Sequence, residues 1–176
     1  MGSVYTRVLF GIDQPRVGLL SIGEEASKGN ELTREAHRLL KDAPIAFIGN
    51  VEARDVYSGN ADVIVSDGFT GNIALKISEG LVETMEMLLG EELSSTVTLR
   101  VGSLLTRRAL RRFKRRVDYS EYGGAPLLGV AGIAIVGHGR SSAKAVRNAI
   151  AMAYRFAGQR FIDQLSAVSF QPSAES

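Results

Sequence analysis

Four short apolar runs, "RVGLLSI" at residues 16–22, "IAFIGN" at 45–50, "ADVIVSD" at 61–67 and "GIAIVGHG" at 132–139, lack strict alternation of apolar and polar positions. That pattern belongs to parallel strands covered on both faces. Between them, "NELTREAHRLLK" and "GNIALKISEGLVETMEMLL" repeat apolar residues three and four apart, the spacing of a helix face. Strand alternating with helix predicts an α/β domain, a mostly parallel sheet with flanking helices and right-handed crossovers.

The 176 residues amount to one domain, and 45% hydrophobic residues are enough for a core. No stretch approaches the ~18 to 20 consecutive apolar residues of a membrane span, and "MGSVYTRVLF" lacks the charged-then-apolar order of a signal peptide. A soluble, cytoplasmic chain is expected. Zero cysteines exclude disulfides, a thiolate nucleophile and Cys-ligated metal, and two isolated histidines, His37 and His138, argue against a zinc site. Neither metal nor cofactor is expected.

Seven of the ten residues from 107 to 116 are basic and none is acidic, whereas the rest of the chain carries 14 basic and 19 acidic residues. The net charge of +2 therefore hides a localised basic stripe, which suits a localised anionic partner.

In open α/β sheets, ligands sit beyond the carboxyl ends of the strands. The runs are followed by "SIGEEASKGNE", "IGNVEARD", "SDGFTGN" and "GHGRSS", so four loops are expected to converge on one rim. In "DGFTGN", Gly68 and Gly71 let backbone N–H groups turn outward, and a helix expected to begin near Asn72 adds its positive end. "GHGRSS" repeats the device before "AKAVRNAIAMAYRF", with Ser141 or Ser142 as N-cap. Two such ends make a phosphate cradle, although each motif alone fits ordinary loop chemistry and capping equally well. Neither is a P-loop or a G-x-G-x-x-G fingerprint. Lys76 is expected one turn into its helix on the face of Asn72, within reach of the cleft. His138, between two glycines at a strand end, is better placed for function than His37, which is expected on the surface of a polar helix face.

Read together, "RVGLLSIGEEASKGNEL", "APIAFIGNVEARDV", "ADVIVSDGFTGNIALKISEG" and "VDYSEYGGAPLLGVAGIAIVGHGRSSAKAVRNAI" resemble, in order and spacing, the carboxyl-terminal half of the PlsX family, the phosphate acyltransferases of bacterial phospholipid synthesis. The resemblance runs from about residue 2 to about residue 161. It implies transfer of a fatty acyl group from acyl carrier protein to inorganic phosphate, and a phosphotransacetylase-like, Rossmann-like three-layer fold. Family members are about twice as long, and their "DAMGGD"-type opening half has no counterpart here. The fold is thus expected to be incomplete relative to the family, with exposed edges that favour self-association into a homodimer, and catalysis is expected to need the other half.

Phosphate is already an anionic nucleophile and a thiolate a competent leaving group, so the reaction asks the protein for position and charge stabilisation. Within the matched positions, Gly68, Thr70, Gly71, Asn72, Gly139, Ser141 and Ser142 are candidates for the phosphate cradle and Lys76 for added charge. Lys28, Asn30 and His138 are candidate donors to the developing oxyanion.

In the basic stretch, Val101, Leu105, Ala109, Phe113 and Val117 recur every fourth residue, while Arg107, Arg108, Arg111, Lys114 and Arg115 cover most of the other side. Arg112 and Arg116 fall at the edge, where long stems snorkel. A basic amphipathic protrusion over about residues 94–118 suits an anionic membrane surface, acyl carrier protein, or simply packing on the core. Nucleic acid fits less well, because only Phe113 and Tyr119 offer rings for stacking. The resemblance favours a peripheral membrane role. "EYGGAPLLGVAG" is read as a tight turn over core residues Leu127 and Leu128, or else as an acyl-pocket lining. The domain is expected over residues 1–165, with a disordered tail over 166–176.

Overall fold

The computed structural model describes residues 1–108, 110, 112–113, 124–137 and 141–169. Strands β1 (Arg16–Leu20), β2 (Ala46–Val51) and β3 (Val63–Val65) form a parallel sheet in the order β2-β1-β3. The first three apolar runs are therefore strands of one sheet. Val17 and Leu19 of the central strand are buried. Helix α2 (Glu31–Lys41) makes the crossover from β1 to β2 and packs on both. Asn30 caps it, its Oδ1 accepting the Thr33 N–H at 2.9 Å.

β2 carries a bulge. Val17 pairs with Phe47 but Gly18 pairs with Gly49, which leaves Ile48 as the extra residue, and Gly49 adopts φ 96°. β3 is fastened to β1 from below, where the Asp62 carboxylate accepts the Arg16 backbone N–H at 2.8 Å and its Nε and Nη2 at 2.9 Å each.

Helices α1 (Gly2–Phe10), α5 (Ala143–Gly158) and α6 (Phe161–Ser169) supply the main apolar cluster, Val4, Met152, Phe156, Phe161 and Leu165. The Phe156 and Phe161 rings stack with centroids 4.4 Å apart, and Tyr5 meets both edge-on. α1 lies close to β3, where a Cβ on Gly2 would stand 2.8 Å from Val63 Cγ1. α6 runs to Ser169, past the expected domain end at residue 165; residues 170–176 lie outside the described set.

The fourth apolar run is not a fourth parallel strand. Only Ile135–Val136 is extended (β5), and it pairs antiparallel with Ala125–Pro126 (β4) in a separate two-stranded ladder. The Gly- and Pro-rich "APLLGVAG" turns the chain back on itself, with Gly129 at φ 88° and the Leu127 N–H reaching the Ala134 carbonyl at 2.8 Å. Local return thus outcompetes a distant sheet position. Leu128 packs against the core cluster, as the turn reading expected, whereas Leu127 is half exposed.

The chain divides into two compact units, Met1–Asp67 with Ala125–Val136 and Ile150–Ser176, and Gly68–Gly124 with Gly137–Ala149. In the second, α3 (Gly68–Ser94) packs against α4 (Val97–Leu105). Helical hydrogen bonds continue through Thr106 to Leu110, and residues 107–108, 110 and 112–113 are helical. The expected basic protrusion begins as helix, broken after Ser94 and resumed at Val97.

Candidate functional site

Because β1, β2 and β3 are parallel, the loops that follow them leave from the same edge of the sheet. The first two are tied together. The Ser21 N–H donates to the Val51 carbonyl at 2.9 Å, Asn50 Nδ2 donates to the Glu25 carbonyl at 2.9 Å, and Arg54 pairs with Glu52 at 2.8 Å and Glu24 at 3.7 Å. Lys28 closes a turn within the first loop by donating its N–H to the same Glu25 carbonyl at 2.9 Å. The two candidates in this loop, Lys28 and Asn30, are both exposed. They sit on a backbone that β2 holds in place.

Gly29 makes this loop conformation accessible, with φ 98° and no room for a Cβ, which would run into Thr33 Oγ1 and Ser21 Oγ. The Ser21 hydroxyl is buried and without a hydrogen-bond partner among the described residues.

His37 departs from its expected place on an open polar face. It is half-buried, with Nδ1 2.8 Å from Asn50 Oδ1 and its ring edge-on to Phe47 at 5.1 Å. Sequence reasoning missed both His37 and Asn50 as members of the site, because their meeting depends on the bulge.

α3 begins at Gly68, four residues before the expected start near Asn72. Gly68, Thr70 and Gly71 therefore fall in the first turn, at the end of the helix where the dipole favours an anion. Asn72 falls in the second turn and Lys76 two turns in rather than one. Lys76 Nζ is bound to Glu79 Oε2 at 2.8 Å along the same helix, so it is not poised alone over a cleft. Of the two serines offered as caps, Ser142 takes the role for α5, its Oγ accepting the Ala145 N–H at 3.2 Å. Ser141 precedes it, with its Oγ beside Gly137.

His138 and Gly139 lie outside the described residues, as do Arg111, Arg115 and Arg116 of the basic segment. In the described part of that segment, Leu105 is 82% exposed, Phe113 is 44% exposed, and Arg108 and Arg112 face solvent. No helix of the described residues is long and apolar enough to cross a membrane, and no cluster of three or more His, Asp or Glu able to hold a metal occurs among them.

A cavity of about 480 Å³ opens elsewhere, between Arg7, Asp13, Pro15, Pro44 and Ala46. It lies where β1 and β2 begin, at the edge of the sheet opposite the strand-end loops, and belongs to a different part of the surface.

Comparison with known proteins adds independent findings. Residues 1–164 match the family described as "Fatty acid synthesis protein". A relative from Acidobacterium capsulatum named "Phosphate acyltransferase" is 54% identical over 176 residues, all of this chain and 52% of its own length. Another of the same name, from Koribacter versatilis, is 62% identical over 165 residues, covering 91% of this chain and 46% of the relative. A third, from Citrifermentans bemidjiense, is 55% identical over 157 residues, 89% of this chain and 45% of the relative. The chain spans about half the length of the curated relatives it matches. With a family match over nearly all its residues and relatives above half identity, the chain belongs to the fatty acid synthesis proteins of the PlsX type.

Proposed function

We propose that this chain serves acyl transfer in phospholipid synthesis, moving a fatty acyl group from acyl carrier protein to inorganic phosphate as the carboxyl-terminal part of the catalytic apparatus. The observation that carries this reading is the identity to proteins named phosphate acyltransferase along the whole chain. The start of α3 at Gly68, immediately after the β3 loop, supports it from the side of chemistry.

In the reaction, a phosphate oxygen attacks the thioester carbonyl, a C–O bond forms, the C–S bond breaks, and the carrier thiolate leaves. The positive end of α3, with Gly68, Thr70, Gly71 and Asn72, binds phosphate, and Ser141, Ser142 and Gly139 contribute from the second glycine-rich loop. Lys76 adds positive charge. An exposed ion pair such as that with Glu79 is worth only about 0 to 1 kcal/mol, so exchanging the carboxylate for phosphate costs little. Lys28, Asn30 or His138 donates to the carbonyl oxygen as it gains charge. Replacing Lys76 by Ala is expected to lower turnover at least tenfold in an active preparation; unchanged turnover removes Lys76 from the mechanism.

The basic segment, with Leu105, Arg108, Arg111, Arg112, Phe113, Arg115 and Arg116, is assigned to contact with an anionic membrane surface or the acidic carrier protein, as a peripheral and cytoplasmic association. The solvent exposure of Leu105 and Phe113 beside Arg108 and Arg112 supports this. Flotation with anionic liposomes but not with neutral ones is the expected result, and equal flotation with both overturns the membrane assignment. Self-association into a homodimer completes the reading.

A further inference from the structure

In a regular strand, residues three apart point to opposite faces. Phe47 and Asn50 are three apart, yet both meet His37 of α2, one with its ring and one with its amide. The extra residue at Ile48 is what brings them to the same side. The bulge thereby buries the Asn50 amide between α2 and the β1–α2 loop, only 7% exposed.

Every group around that amide has a fixed role. The Glu25 carbonyl can only accept, so Asn50 must present Nδ2 to it, and Oδ1 consequently faces His37. His37 Nδ1 must then carry a hydrogen and donate. The His37 N–H holds the amide in that orientation, and the amide in turn anchors the Glu25 carbonyl. That carbonyl also receives the Lys28 N–H, so the chain of contacts ends on the residue two positions before Asn30, the α2 cap.

We propose that His37 and Asn50 are positioning residues that hold the loop carrying Lys28 and Asn30, through the Glu25 carbonyl, in the geometry needed to stabilise the thioester oxyanion. The catalytic meaning rests on the acyl-transfer reading; the positioning of the loop does not. His37 acts through Asn50 and touches no substrate.

The test compares the chain with its Asn50→Ala, His37→Leu and His37→Asn variants by amide hydrogen exchange, and by acyl phosphate formation with the amino-terminal half of the Koribacter versatilis relative supplied separately. Asn at position 37 keeps an N–H donor near the place of Nδ1, whereas Leu does not. Asn50→Ala is expected to speed exchange of the Lys28 amide and its neighbours over residues 22–30 about tenfold or more. His37→Leu is expected to speed it about threefold, and His37→Asn to stay within about twofold of the unchanged chain. kcat is expected to fall in the same order with KM for the acyl donor unchanged. His37 is only half-buried, so its variants remain informative even if Asn50→Ala fails to fold. Exchange in His37→Leu that is unchanged at 22–30, or faster by the same factor through β1 and β2, overturns the proposal, as does a His37→Asn variant no better than Leu. If the unchanged chain forms no acyl phosphate, the acyl-transfer reading fails, and the exchange pattern still decides whether His37 and Asn50 position the loop.

Discussion

Asp62 is held by three donors from one residue, and the Arg16 side-chain hydrogen bonds, its backbone N–H and its charge bring the carboxyl from the ordinary 3.8 down to about 2. A carboxyl whose pKa is lower in the folded state contributes stability that is complete above its unfolded value and is lost as pH falls through the folded one. Stability is therefore expected to decline between about pH 4 and pH 2, and Asp62→Asn to flatten that part of the profile in urea unfolding followed by circular dichroism. Gly29→Ala is expected to cost about 1 to 3 kcal/mol in the same measurement, because it combines a strained φ with a collision against Thr33 and Ser21. Capping by Ser142 was legible in the sequence, since a cap involves residues three apart, whereas Asn30 was read as an oxyanion donor and its capping of α2 was not anticipated. The partnership of His37 with Asn50 was not, because it depends on a one-residue shift at Ile48 that no local pattern announces.

The same distinction between local and distant causes holds for the elements. β1, β2 and β3 were read correctly because their apolar runs are bounded by turn residues and cross over through a clearly periodic α2. α1 was not read: Val4, Tyr5, Thr6, Val8 and Phe10 have modest helix propensity, and packing against α6 and β3 decides in favour of helix. β5 was assigned to the wrong sheet for the converse reason, a tight local turn prevailing over an apolar run that looks like a buried strand. The α1, α5 and α6 cluster depends on Phe156, which is fully buried and stacked on Phe161. Phe156→Ala is expected to cost about 3 to 5 kcal/mol. A loss below about 1 kcal/mol in chemical denaturation would show that this cluster is not the core it is taken to be.

At the scale of the molecule, much apolar surface remains uncovered. On α5, Val146, Ile150 and Tyr154 recur every fourth residue and are 49%, 66% and 82% exposed. Along α3, Phe69, Leu75, Ile77 and Leu81 are each more than half exposed. Stripes of this size on soluble proteins usually mark contact surfaces. Sedimentation of the isolated chain is expected to show association that increases with concentration, and the double change Ile150→Lys with Tyr154→Lys to reduce it. The family and the loops after β1, β2 and β3 were legible because their motifs are contiguous; the loop after β5 was misplaced with its strand, and the pairing of Lys76 with Glu79, three apart on one helix, was open to reading but was not read. The central claim is that these residues supply the phosphate and oxyanion part of an acyl transfer. Its most direct test is acyl phosphate formation from acyl carrier protein thioester and inorganic phosphate, by this chain alone and with the amino-terminal half of a relative added. Turnover in at least the second mixture, abolished when this chain is left out, is the expected result. No turnover in either, with the chain folded by circular dichroism, would contradict the account.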